Sequence, residues 1–117
     1  MSEKTNILFV CSANRLRSPT AEDMFAGSEH YNARSAGTHP HAEQRVSQDM
    51  IDWADRVFVM SERTDGHKTF LENNFDVGGA EIYDLDIPDV YGRGDPTLVE
   101  RLREGLEPYL DVSGARA

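Results

Sequence analysis

A short apolar run, Ile7-Leu8-Phe9-Val10, leads directly into Cys11, and Ser18-Pro19 follows soon after. The run is β-branched and aromatic and too brief for a buried helix, so it reads as a buried strand. Ser18 is a favoured N-cap type and Pro19 suits a first helical turn, so a helix is expected over residues 18–28. The segment from Cys11 to Ser18 therefore bridges the carboxyl end of a strand and the amino end of a helix. Backbone N–H groups in such a turn converge on one point, and the helix dipole adds positive potential there. The result is an anion site shaped for a tetrahedral oxyanion such as phosphate. Arg17 adds a permanently charged planar fork able to hold two phosphate oxygens, and the same field favours the thiolate of Cys11. Asn14 stands where a tight loop needs a residue tolerant of left-handed geometry.

Beyond this loop the pattern alternates. Strands are expected at 6–10, 31–36, 56–60 and 80–87, and helices at 18–28, 46–54, 62–75 and 95–110, which makes an α/β fold. Leu98, Val99, Leu102, Leu106 and Leu110 recur at helical spacing and predict one buried stripe on the last helix. Gly66 falls inside the expected third helix, where glycine is unfavourable. Parallel strands joined by right-handed crossovers gather their loops at the carboxyl edge, where open α/β sheets bind ligands. His39-Pro40-His41 reads as an exposed loop, and no repeat, linker or low-complexity stretch interrupts residues 1–117, which are expected to form one domain.

Charge and cysteine usage narrow the function. The net charge is −9, and eleven of the 21 acidic residues lie between 72 and 111 against three of the twelve basic ones, which argues against bulk nucleic-acid binding. With Cys11 as the lone cysteine an intrachain disulfide is excluded, and a functional thiolate suits a reducing compartment, so a cytoplasmic location is expected. Met1 to Asn6 lack the features of a secretory signal, and no run approaches transmembrane length, so no membrane partner is expected. His30, His39, His41 and His67 form no ligand pattern with carboxylates, so neither metal nor other cofactor is expected. The partner implied is a phosphorylated substrate, and the chemistry is attack of the Cys11 thiolate on phosphorus. The loop amides of Ser12, Ala13, Asn14, Arg15, Leu16, Arg17 and Ser18 would stabilise the equatorial oxygens, and a carboxylic acid would protonate the leaving oxygen. Ser18 is placed to donate a hydrogen bond to the thiolate.

Residues Ile7 to Cys11 and Arg17-Ser18-Pro19-Thr20-Ala21-Glu22 resemble the signature of the low-molecular-weight protein tyrosine phosphatases, and Arg34-Ser35-Ala36-Gly37-Thr38 is similar to that family's second segment. The likeness continues more loosely through Trp53 to Met60 and through the acidic Asp86 to Gly92 segment. It implies a three-layer α/β fold of the phosphatase I type, with a four-stranded parallel sheet in order 2-1-3-4 flanked by helices. It also implies a phosphocysteine intermediate, and a bond between Asn14 and Ser35 that holds the loop.

The general acid is the open assignment. The family carries Asp-Pro followed by aromatic residues after its fourth strand, whereas here the order is Pro88-Asp89-Val90-Tyr91, with Asp95-Pro96 farther on. Asp95-Pro96 suits a helix start, Asp84 a strand position, and Asp86 and Asp89 both suit the acid, with Asp89 preferred. Leu16 occupies the position of the family's second cysteine, so the disulfide that protects the nucleophile cannot form. Arg15 stands where the phosphotyrosine enzymes carry an aliphatic residue and the phosphoarginine enzymes a small hydroxyl. Tyr91 alone remains of the aromatic pair at the family's tyrosine cleft. Protein tyrosine phosphatase activity is the leading expectation, with a phosphatase for phosphoarginine or another ester, nucleotide or RNA phosphate included, as the alternative. An arsenate reductase would need further cysteines from a partner, a phosphocarrier would not need the arginine fork, and a noncatalytic anion-binding module would carry an unreactive Cys11.

Overall fold

The computed structural model describes residues 4–113 and Ala115. Four strands, β1 (Thr5–Cys11), β2 (Tyr31–Gly37), β3 (Arg56–Val59) and β4 (Glu81–Asp84), form one sheet in the order β2-β1-β3-β4. Every pairing is parallel, with Cys11 opposite Gly37 and Val10 opposite Val59. The helices are α1 (Arg17–Met24), α2 (Gln48–Trp53), α3 (Glu62–Asp65), α4 (His67–Asn74) and α5 (Pro96–Leu106).

Alternation along β1 decides which side of the sheet each residue serves. Ile7, Phe9 and Cys11 face one core with Met24 and Phe25 from α1 and its end and Leu98, Leu102 and Leu106 from α5. Leu8 and Val10 face the other, with Met50 and Ile51 of α2, Val57 and Val59 of β3 and Leu71 of α4. Both faces are covered, so Ile7 to Cys11 are all buried. Cys11 is consequently carried to the α1 side at the carboxyl edge of a central strand. The stripe on α5 is buried as its spacing predicts, and truncating a fully buried member such as Leu102 to alanine costs about 2–5 kcal/mol.

Several boundaries differ from expectation for identifiable reasons. The expected helix over 62–75 is two helices, because Gly66 adopts the left-handed conformation (φ 64°) and ends α3 before α4 begins. Helix α1 starts at Arg17, one residue earlier than predicted, and Ser18 does not cap it: no side chain caps this end, and the Ser18 hydroxyl is turned to Cys11 instead. Strand β4 stops at Asp84, although Leu85 N–H and Ile87 N–H still donate to Val59 and Met60 carbonyls as the chain leaves the sheet. Helix α5 ends at Leu106, with Leu110 buried beyond it. Asp95 and Pro96 begin α5 as the sequence predicts, with the Asp95 carboxylate accepting from Thr97 N–H at 2.8 Å. No helix among the described residues is long and apolar enough to cross a membrane.

Candidate active site

The loop from Cys11 to Ser18 owes its shape to the backbone behind it. Carbonyls of Cys11, Ser12 and Ala13 accept from the N–H groups of Thr38, His39 and Glu43 at 3.0, 3.0 and 3.1 Å, so the outer side of the loop is pinned to the chain leaving β2. That contact requires a glycine at 37: a Cβ there would lie 2.5 Å from Ser12 O and 2.6 Å from Ala42 Cβ. With these carbonyls committed to the chain after β2, the loop N–H groups other than that of Asn14 are left without acceptors. None of Ser12, Ala13, Arg15, Leu16, Arg17 or Ser18 donates its N–H within the described residues, an arrangement suited to an anion.

Asn14 closes the inner side. It adopts φ 55°, the left-handed geometry expected of it, and its N–H donates to Cys11 Sγ at 3.2 Å. Its side-chain amide donates to Ser18 Oγ at 3.0 Å and to Ser35 Oγ at 2.9 Å, and Ser35 donates onward to Glu22. Because Ser18 Oγ accepts from Asn14, its own proton is free to be donated, and Cys11 Sγ lies 2.9 Å away, nearer than the alternative acceptor Ala36 O at 3.3 Å. The sulfur thus faces two donors, the Ser18 hydroxyl and the Asn14 N–H.

Arg17 is 1% exposed, and its guanidinium is held from behind. One terminal nitrogen donates to Asp65 Oδ2 at 2.8 Å and to the Ile87 carbonyl at 2.9 Å. The other lies 3.5 Å from Ser12 Oγ, and Nε–H is buried with no partner among the described residues, 3.7 Å from Asp89 Oδ1. A buried charged donor left unpaired is costly, and a bound oxyanion would satisfy it.

Asp65 and His67 were not singled out by the sequence as site residues. They flank Gly66, and the left-handed turn there aims both at the loop. Burial raises the Asp65 carboxyl, but the hydrogen bond from Arg17 and its charge outweigh that and leave it below the ordinary value. His67 is fully buried: Nδ1 accepts from Ser61 N–H at 3.0 Å, so Nε2 carries the proton of the neutral ring and donates to Ser12 Oγ at 2.9 Å. Burial, and then the Arg17 charge, push its pKa down to about 4 despite Asp65 nearby. The only sequence signal for this pair was the glycine that breaks the helix.

A cavity of about 130 Å³ opens over the loop, lined by Cys11, Ala13, Arg15, Leu16, Arg17 and Asp89. Asp89 is half-exposed and joins Cys11 there, whereas Asp86 is paired outside with Arg63 at 3.2 and 3.3 Å. Tyr91 packs against the α5 core and its hydroxyl accepts from Arg101 at 3.2 Å, so the exposed apolar groups nearby are Leu16 on the wall and Val90 beside Asp89. The segment carrying Asp89 is tied to α1 by Arg93, which grips both oxygens of Asp23 at 3.0–3.1 Å. A second tie runs from Gly94 N–H to Thr20 Oγ1 at 2.9 Å and from that hydroxyl to the Leu16 carbonyl at 2.7 Å.

The sequence profile of the low molecular weight phosphotyrosine protein phosphatases matches residues 6–77. No curated protein matches the chain in sequence. Among solved structures it is similar to Wzb of Vibrio vulnificus in complex with benzylphosphonate, with TM-score 0.70 and 20% identity over 92% of this chain and 97% of that one. The low molecular weight protein tyrosine phosphatase of T. tengcongensis aligns with TM-score 0.66 and 22% identity over 87% and 92%. The YwlE arginine phosphatase of Geobacillus stearothermophilus aligns with TM-score 0.53 and 24% identity over 89% and 94%.

Proposed function

We propose that this chain, which belongs to the low molecular weight phosphotyrosine protein phosphatase family, hydrolyses phosphomonoesters through a phosphocysteine formed on Cys11. The observation that carries the reading is the buried, unpartnered Nε–H of Arg17, a residue that lines the same cavity as Cys11 and Asp89. A phosphoryl group seated on the loop amides would meet that donor and lie before the sulfur.

In this reading the Cys11 thiolate attacks phosphorus in line with the leaving oxygen, the S–P bond forms and the P–O bond breaks. Asp89 gives its proton to the departing oxygen. The Asp89 carboxylate then takes a proton from water, whose oxygen attacks phosphorus; the S–P bond breaks, phosphate leaves, and the thiolate returns. The loop amides and Arg17 stabilise the charge that spreads over the equatorial oxygens, and the hydroxyl of Ser18 makes the thiolate a better leaving group in the second step. Asp86 suits the acid less well because Arg63 already holds it away from the cavity.

An aryl phosphate, phosphotyrosine in particular, suits the apolar rim of Leu16 and Val90. The fold is also similar to that of an arginine phosphatase, so phosphoarginine is the second substrate to test. A thioredoxin-dependent arsenate reductase shares the fold too, but arsenate reduction is the less favoured reading, since Cys11 is the lone cysteine and the oxidation would have to pass to a partner's thiols. Replacing Cys11→Ser is expected to abolish hydrolysis of p-nitrophenyl phosphate while vanadate binding survives, because the cradle is mostly backbone. Retention of more than a tenth of the wild-type kcat would overturn the phosphocysteine route.

A further inference from the structure

Three exposed arginines, Arg15, Arg63 and Arg93, differ in how fully their carboxylate partners occupy them. Arg93 makes three hydrogen bonds to Asp23, and Arg63 makes two to Asp86. Arg15 comes nearest to Glu43 at Nε, 3.2 Å from Oε1, without a hydrogen bond to any described residue, and both side chains are 63% exposed. Its terminal nitrogens have no partner among the described residues, and of these three arginines it alone lines the cavity over Cys11. Glu43 is itself anchored, since its N–H donates to the Ala13 carbonyl two residues before Arg15. The carboxylate thus lies beside the guanidinium at the mouth and leaves its hydrogen-bonding capacity unused.

We infer that Arg15 forms a second anion subsite beside the phosphate cradle, selecting phosphomonoesters that carry a further carboxylate or phosphate close to the scissile group. The inference rests on the phosphatase reading above. The neighbouring charges give it direction: Asp89 lines the cavity and Glu43 sits against Arg15 in a chain with net charge −9, so an extra anion on the substrate would be repelled without a cation to receive it. The free edge of a guanidinium can take two oxygens of such a group at once, a geometry lysine lacks. Glu43 competes for the same charge and so sets how strong the second anion must be.

The test compares kcat/KM for meta-carboxyphenyl phosphate and meta-carbamoylphenyl phosphate, which differ little in leaving group. The wild type is expected to prefer the carboxylate by about 3- to 10-fold, with the ratio shrinking as salt rises. Arg15→Gln should bring the ratio to one or below, and Glu43→Gln should raise it; using a ratio cancels any general change in the cradle. Equal rates on both compounds in the wild type, or an unchanged ratio in Arg15→Gln, would overturn the subsite and leave the phosphatase reading standing. Hydrolysis of neither compound would overturn both. The same ratio for a phosphotyrosyl peptide flanked by Glu against Gln, and for a nucleoside bisphosphate against the monophosphate, tells a carboxylate source from a phosphate source.

Discussion

The loop holding Cys11 and the loop holding Asp89 face each other across the cavity and are built in opposite ways. From Cys11 to Ser18 the first three carbonyls are bonded to the chain after β2, the side chains of Asn14, Arg17 and Ser18 are buried, and most loop N–H groups are left without acceptors. From Leu85 to Asp95 the chain is largely exposed, with Val90 at 72%, and it is attached through Arg17 to Ile87 at one end and through Arg93 and Gly94 to α1 at the other. The first must hold donors where transition-state charge develops, and any reorganisation there is lost catalysis. In the proposed mechanism the second would admit the substrate and then deliver one proton. Fixed electrostatics and acid thus fall, in that mechanism, to separate segments.

Breaking the rigid side should cost most. Arg17→Lys removes the fork and leaves Asp65 facing a point charge, and kcat is expected to fall about 10³-fold, measured with p-nitrophenyl phosphate. A loss below tenfold would mean that the backbone amides alone suffice.

On the mobile-substrate side the effect should depend on the leaving group. Asp89→Asn is expected to slow phenyl phosphate hydrolysis about 10²-fold but p-nitrophenyl phosphate only slightly, because a nitrophenolate departs without a proton. Asp86→Asn should be milder on both. A steeper leaving-group dependence in Asp86→Asn would exchange their roles; if it steepens in neither, Asp95 is the next to test.

The tie between the loops should have a smaller effect. Arg93→Ala is expected to lower kcat several-fold for phenyl phosphate and to leave p-nitrophenyl phosphate nearly unchanged, since only delivery of the proton is disturbed. The exchanged pair Asp23→Arg with Arg93→Asp should recover part of the loss. A variant equally slow on both substrates would show that the tie supports the cradle instead.

His67 sharpens the contrast through pH. Its pKa in the folded protein is about 4 against an ordinary 6.5, so the unfolded chain binds a proton that the folded one excludes. Its contribution to stability is complete above about 6.5, falls as pH drops, and is lost on passing through about 4. His67→Gln keeps a donor for Ser12 without a titrating ring, and its Tm should fall by a few degrees less than that of the wild type over this window. Parallel Tm profiles would place the acid sensitivity elsewhere.

Much of the rigid side was legible in the sequence, because its signals are local. Strand, Cys11, Asn14, Arg17 and Pro19 follow one another within a few residues, and each has a residue-type reason to be there. The buried stripe of α5 and its start at Asp95-Pro96 were legible for the same reason. Ser18 was half legible: its contact with the Cys11 sulfur was expected, but its type also suited a helix cap that it does not make, because the sulfur and Asn14 take its hydroxyl. Asp65 and His67 were hidden behind a helix pattern whose interruption at Gly66 decides where they point. The pairing of Asp23 with Arg93 spans 70 residues and leaves no periodic trace. Local chemistry could be read directly, whereas contacts made by the fold could not.

The most direct measurement is to mix the wild-type enzyme with p-nitrophenyl phosphate, quench within a turnover, and locate the phosphoryl group by peptide mass spectrometry. A phosphoryl adduct on Cys11, absent from Cys11→Ser and decaying more slowly in Asp89→Asn, is the predicted result. Turnover with no adduct on Cys11, or an adduct on another residue, would contradict the division of labour between the two loops.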